Sequence, residues 1–170
     1  MKKRLVFIIL TVVVAAFLPV AGCGGGYQNS WLYPDQVQTV YVEMFDTTSF
    51  RRGHEYVLTD AICKRLEAQT PYKIVSDRNV ADSILSGQLG IRSSVLATDR
   101  YSAKPIEQET LVNVRVTWKD LKTGRLLIDG EKVYASSSYS DPMGQTFEYS
   151  IDRAMNKVAV RVVELMETPW

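Results

Sequence analysis

Histidine and cysteine are nearly absent from this chain: one His, His54, and two Cys, Cys23 and Cys63, in 170 residues. That scarcity leaves no Cys/His cluster for a structural metal and no disulfide framework. No GxSxG, HExxH, CxxC or P-loop pattern occurs. Gly24-Gly25-Gly26 is a tether rather than a phosphate cradle, because no strand precedes it and no GK[ST] follows. A Ser-His dyad would have to use His54, which stands at a helix start beside Arg51 and Arg52. Asp77 and Asp82 flank a turn and read as caps or solvated carboxylates. No catalytic role and no cofactor or metal is expected. Charge of one sign is also lacking, since 20 basic residues face 19 acidic ones. Nothing in that balance calls for a nucleic-acid partner.

What is present begins at the N-terminus. Lys2, Lys3 and Arg4 precede an apolar run from Leu5 to Val20, shorter than the ~20 residues of a spanning helix. The run ends at Ala21-Gly22-Cys23. A charged n-region, an apolar h-region and small residues before a cut site make a signal peptide, residues 1–22. The cysteine directly after Ala21-Gly22 resembles the lipobox of bacterial lipoproteins. That resemblance implies cleavage before Cys23, acylation of its thiol, and a membrane attachment through the lipid, worth roughly 0.8 kcal/mol per buried CH₂. In lipoproteins of that kind an Asp after the Cys signals inner-membrane retention. Gly24 stands there instead, which implies the outer membrane. Removing the three basic residues of the leader leaves 17 basic against 19 acidic side chains, a formal charge of −2.

Residues 23–36 read as lipidated cysteine and tether, and 37–170 as one domain. Val37 to Phe45 reads as a strand, with Val40, Val42 and Met44 alternating against Thr39, Tyr41 and Glu43. Gly53 to Gln69 reads as a helix. Tyr56, Leu58, Ile62, Cys63 and Leu66 form its apolar stripe, and Thr70-Pro71 ends it. Cys63 is therefore expected to be a small buried hydrophobe. Tyr72 to Val75 is a short strand. From Ser83 to Thr98, Leu85, Leu89, Ile91 and Val95 share one parity, and Gly87 and Gly90 allow a bend or bulge. Asp99 to Gln108 is expected as the loop of a long hairpin. Val112, Val114, Val116 and Trp118 alternate beyond it. Lys122-Thr123-Gly124 marks a turn, Arg125 to Ser136 a returning strand, and Ser136 to Asp141 a second polar loop. Gly144 to Met166 reads as the closing helix, with Phe147, Ile151, Met155, Val158, Val162 and Leu165 on one stripe. The order β-α-β-β-β-β-α predicts an α+β two-layer sandwich. Two helices cover one face of a largely antiparallel or mixed sheet of four to five strands.

Several of these residues together resemble a known family. Cys23-Gly24-Gly25-Gly26-Tyr27 is similar to the Cys-Gly-Tyr start of the LPS-assembly lipoproteins, the LptE family. Leu58-Thr59-Asp60-Ala61, Tyr72-Lys73-Ile74-Val75, Ala81-Asp82, Leu85-Ser86-Gly87, the valine strand, Ser140-Asp141-Pro142 and the long last helix follow in family order. The resemblance implies a plug inside the LptD-like β-barrel of the outer membrane, a part in barrel assembly, and a part in placing lipopolysaccharide in the outer leaflet. It places Arg100 at the basic position of the hairpin tip, with Lys104 and Arg92 as expected neighbours in contacting lipid phosphates. The family's second basic position is unmatched, since 138–145 contains no Lys or Arg. Val40-Tyr41-Val42-Glu43-Met44-Phe45 with its helix and Leu85-Ser86-Gly87 also resemble the curli-secretion lipoproteins and the activators of penicillin-binding proteins. Those would make the chain a protein-interaction module instead.

Overall fold

The computed structural model describes residues 32–49 and 52–167. The leader 1–22, the lipidation candidate Cys23 and most of the tether lie outside the described residues. The elements run β1 (Thr39–Val42), β2 (Asp46–Thr47), α1 (His54–Gln69), β3 (Lys73–Ile74), β4 (Ser83–Thr98), β5 (Pro105–Asp120), β6 (Leu126–Tyr139) and α2 (Phe147–Leu165). The sheet order is β3-β1-β4-β5-β6, with β2 also paired to β4. This is the expected α+β sandwich: two helices against a mixed, open sheet of six strands. β1 pairs in parallel with both β3 and β4, and β2 in parallel with β4. A parallel pair needs a long crossover, and α1 is the one between β1 and β3. β4, β5 and β6 form an antiparallel meander.

The first strand departs from its expected form. The alternation of Val40, Val42 and Met44 predicts one unbroken strand with Met44 inward, yet the chain breaks between β1 and β2. Met44 is 47% exposed and Phe45 is buried. The reason lies on β4. A Cβ at Gly87 would sit 2.6 Å from the Phe45 ring and 2.2 Å from the Arg115 carbonyl oxygen. Glycine thus opens a slot in the sheet that takes the ring. Gly87 is there for close approach, not for the bulge the sequence suggested. Register shifts come later, between Val95 and Thr98.

One core joins the sheet to both helices. Val40, Leu85, Leu89, Val112, Val114, Val116 and Trp118 meet Leu58, Ile62, Leu66, Ile151, Met155, Val158 and Val162. Each helix stripe loses one expected member to solvent: Tyr56 is 60% and Leu165 38% exposed, while Ala61 and Val163 are buried instead. Cys63 is half-buried rather than buried. Burial, then Glu67 and Asp60, push its thiol pKa up. A thiol held protonated is a poor nucleophile.

Polar groups inside are paired. Trp118 Nε1 donates to Ser83 Oγ at 3.0 Å, and the Thr110 and Ser150 hydroxyls share a buried bond of 2.6 Å between β5 and α2. α1 starts at Gly53, whose φ of 101° favours glycine, and the Gly53 N–H donates to Glu55. It stops where the Thr70 N–H and hydroxyl both donate to the Leu66 carbonyl. Thr146 caps α2 by accepting from the Tyr149 N–H.

The packed body reaches upstream of the Val37 boundary. Leu32 packs on the core, and the buried Tyr33 ring meets Tyr72 edge-on at 5.6 Å. Tyr72 in turn stacks near Trp118. The chain therefore enters at the pole where β5 ends. Asp82 fastens the same pole. It accepts from the Gln38 and Thr39 N–H groups and pairs with Lys122 at 2.6 Å. These bonds, Lys122 first, hold its pKa down to about 2.

Candidate functional site

The tip of the β4–β5 hairpin stands at the opposite pole. From Trp118 to Pro105, β5 covers roughly 45 Å at 3.4 Å per residue. The loop is shorter than expected, because Thr98 pairs with Pro105 and the strand already includes Ile106 to Gln108. Likewise β6 continues to Tyr139, so most of the expected second loop, Ser136 to Asp141, is strand.

Six residues, 99–104, make the turn, and Asp99 organises it. Its Oδ1 accepts from the Tyr101 N–H at 2.9 Å, the Ser102 N–H at 2.6 Å and the Ser102 hydroxyl at 2.9 Å. The Asp99 N–H donates to the Lys104 carbonyl, and Ala103 adopts a φ of 53°. The bonds from Ser102 chiefly hold the Asp99 pKa down. This acid is spent inside the loop and does not pair with its basic neighbours. Arg100 and Lys104 are exposed and, among the described residues, make no ion pair.

Arg92 does not join them. It is exposed on β4 opposite Leu111, six residues before Thr98, or roughly 20 Å along the strand. Eight positions of sequence look close, but along an extended strand they become distance.

What the sequence missed is the apolar collar of this tip. Val95 and Leu96 are each about half exposed, Ile106 is 38% exposed, and Tyr101 is 95% exposed. Val95 shares the parity of the buried Leu85 and Leu89, yet it is exposed. The adjacent pair Val95-Leu96, which breaks strict alternation, was the available signal. Met143 is exposed in the 3₁₀ turn Asp141–Met143, which packs against β5. The arrangement is two unpaired cations among exposed apolar side chains at the end of a projecting hairpin. It has the chemistry to hold an amphiphile with phosphate and hydrocarbon parts. Among the described residues, no three or more His, Cys, Asp or Glu side chains converge as a metal site, and no helix is long and apolar enough to cross a membrane.

No family model and no curated protein matches the sequence. Solved structures do match its shape. Uncharacterized lipoprotein B from Nitrosomonas europaea is 11% identical, with a TM-score of 0.57 over 82% of this chain and 88% of that one. Rare lipoprotein B from Shewanella oneidensis is 16% identical, with a TM-score of 0.51 over 76% and 93%. A minor lipoprotein from Acinetobacter baumannii is 16% identical, with a TM-score of 0.51 over 75% and 91%. Identities this low establish a shared architecture only, and on that ground the chain has the fold of these bacterial lipoproteins.

Proposed function

We propose that the protein is an outer-membrane lipoprotein, anchored through Cys23. It partners a large LptD-like β-barrel, helping that barrel to assemble, and presents its hairpin tip to lipopolysaccharide during insertion into the outer leaflet. One observation carries this reading: the pole opposite the chain's entry offers unpaired Arg100 and Lys104 within a collar of exposed Val95, Leu96, Tyr101 and Ile106. A phosphorylated glycolipid combines the two chemistries this tip offers. The lipoprotein fold and the signal and cysteine pattern at the N-terminus support the anchored location. Lipopolysaccharide contact rests on Arg100 and Lys104; Arg92 has no part in it.

The test is lipopolysaccharide co-purification with the Arg100→Glu/Lys104→Glu protein, beside wild type. Retention should fall about tenfold or more, since two attractive contacts become repulsive. The melting temperature should hold, because the core is untouched. Deleting the gene should also lower the level of folded barrel. Unchanged glycolipid retention in a normally folded variant, together with normal barrel levels in the deletion strain, refutes the proposal. Capture of a cell-wall synthase or of the protein itself, in place of a barrel, points to the interaction-module reading.

A further inference from the structure

Among the described residues no helix covers the second face of the sheet, and its side chains follow from the strand register. One row across that face reads Asp46, Gln88, Arg115, Lys132. Arg115 and Lys132 are directly opposed neighbours and both are exposed. Directly opposed side chains have Cβ atoms roughly 5 Å apart, and like charges so placed destabilise a sheet. Glu43 and Asp46 line a neighbouring hollow with Arg115, but no ion pair forms to either cation among the described residues. The ion pairs among the described residues are Lys64–Asp60 and Lys122–Asp82, and neither Arg115 nor Lys132 makes a side-chain hydrogen bond there. The acid of the same row, Asp46, is two strands from Arg115, roughly 10 Å away at the spacing of paired strands. On β5, Glu109 and Glu107 share the parity of Arg115 and lie roughly 20 and 27 Å along, and on β6 the exposed Asp129 flanks Gly130 without an ion pair to either cation.

The pair borders a shallow depression of about 210 Å³, whose rim includes Gln88, Gly90, Asn113, Arg115, Lys132 and Tyr134. Gly90 shapes it, since a Cβ there would come within 2.4 Å of the Asn113 amide oxygen. The Arg115 stem runs beside Gly130, where an added Cβ would lie 3.7 Å from the arginine Cδ. Two monocations therefore line one hollow whose other polar residues are Thr48, Gln88, Asn113 and Tyr134.

We propose that this depression binds a phosphate monoester or an equally compact dianion, with Arg115 and Lys132 as its charged walls and Asn113 and Tyr134 as neutral hydrogen-bonding partners. Charge matching selects the ligand class. A dianion neutralises both cations, whereas a single carboxylate leaves one positive charge facing the other. Arginine offers a planar fork to phosphate oxygens and lysine a point charge. The site is independent of the hairpin tip, because Arg115 is ten residues from Pro105, roughly 34 Å. It goes beyond the function proposed above and stands or falls separately. The phosphate can come from a lipid headgroup or from free phosphate.

The test uses the full, lipidated protein in neutral detergent. Melting is followed with inorganic phosphate, with mixed micelles containing phosphatidic acid, and with phosphatidylcholine micelles, all at one ionic strength. Arg115→Gln/Lys132→Gln is compared with wild type and with Arg100→Gln/Lys104→Gln. Wild type should melt higher with phosphate or phosphatidic acid than with phosphatidylcholine. The sheet-face variant, which loses the repulsion, should melt no lower than wild type without ligand and should bind about tenfold more weakly or worse. The tip variant should bind as wild type does. A response to inorganic phosphate alone identifies a free-phosphate site, and a response confined to phosphatidic acid identifies a headgroup site. Equal behaviour of wild type and the sheet-face variant, including no response from either, overturns the proposal. So does loss of binding in the tip variant.

Discussion

Gly87→Ala is the sharpest probe of how the sheet and β2 are joined. The added Cβ would lie 2.2 Å from the Arg115 carbonyl oxygen and 2.6 and 2.9 Å from the Phe45 ring. Even close C···O contacts in sheets settle near 3.3–3.6 Å, so β4 and β5 must part by roughly 1 Å or the slot must collapse. Ring rotation relieves only the Phe45 contacts, because the carbonyl belongs to the neighbouring strand. Overpacking typically costs about 1–3 kcal/mol, and a backbone clash within the sheet belongs at the upper end. At roughly 3 °C per kcal/mol for a domain of this size, melting should fall by about 10 °C. Gly124→Ala is the control. Gly124 has a φ of 75° and nothing within 4 Å of its Cβ position. It should lose only the left-handed strain of about 1–2 kcal/mol. Thermal melts by circular dichroism measure both. Adding Phe45→Leu to Gly87→Ala should recover less than half of the loss. A Gly87→Ala protein that melts within 2–3 °C of wild type, a shift of only about 1 kcal/mol, refutes the slot.

Three further expectations follow from the fold. Asp82 has a folded pKa of about 2 against the ordinary 3.8. Its contribution is therefore complete above about pH 4 and lost as pH falls through 2. Asp82→Asn should narrow its stability gap to wild type over that interval in acid melts, with Asp99 and Asp120, also held low, contributing equally to both proteins. Lys157 donates to the Ser136 carbonyl at 2.8 Å and Arg161 to the Tyr134 carbonyl, so α2 blocks the outer edge of β6. Lys157→Met/Arg161→Met should expose that edge and raise the oligomer fraction in light scattering; a strictly unchanged mass distribution would contradict the edge-guard role. Cys63→Ala should cost about 1 kcal/mol or less, as a half-buried small group, and the native thiol should react slowly with maleimide at neutral pH; rapid labelling would contradict its raised pKa.

The sequence by itself determined the elements whose signals are local. Both helices occupy nearly the residues their stripes and caps indicate, and the valine strand β5 alternates as read. The Ala21-Gly22-Cys23 pattern is likewise local, and the expectation of a lipidated Cys23 rests on it without a fold. Tertiary structure decided whatever depends on register and on where the helices end. Periodicity could not foresee that Phe45 rather than Met44 turns inward, because the slot at Gly87 exists only once β4 and β5 are paired. Arg92 lies apart from Arg100 and Lys104 because each residue of the extended β4 adds roughly 3.4 Å, a separation that nearness in sequence does not convey. Val95 reads as core by parity and is surface, because parity names a face and not whether a helix covers it. Arg115 and Lys132 stand 17 positions apart in the sequence. They become opposed charges only because the Lys122-Thr123-Gly124 turn and the bulged start of β6 bring β6 back in that one register.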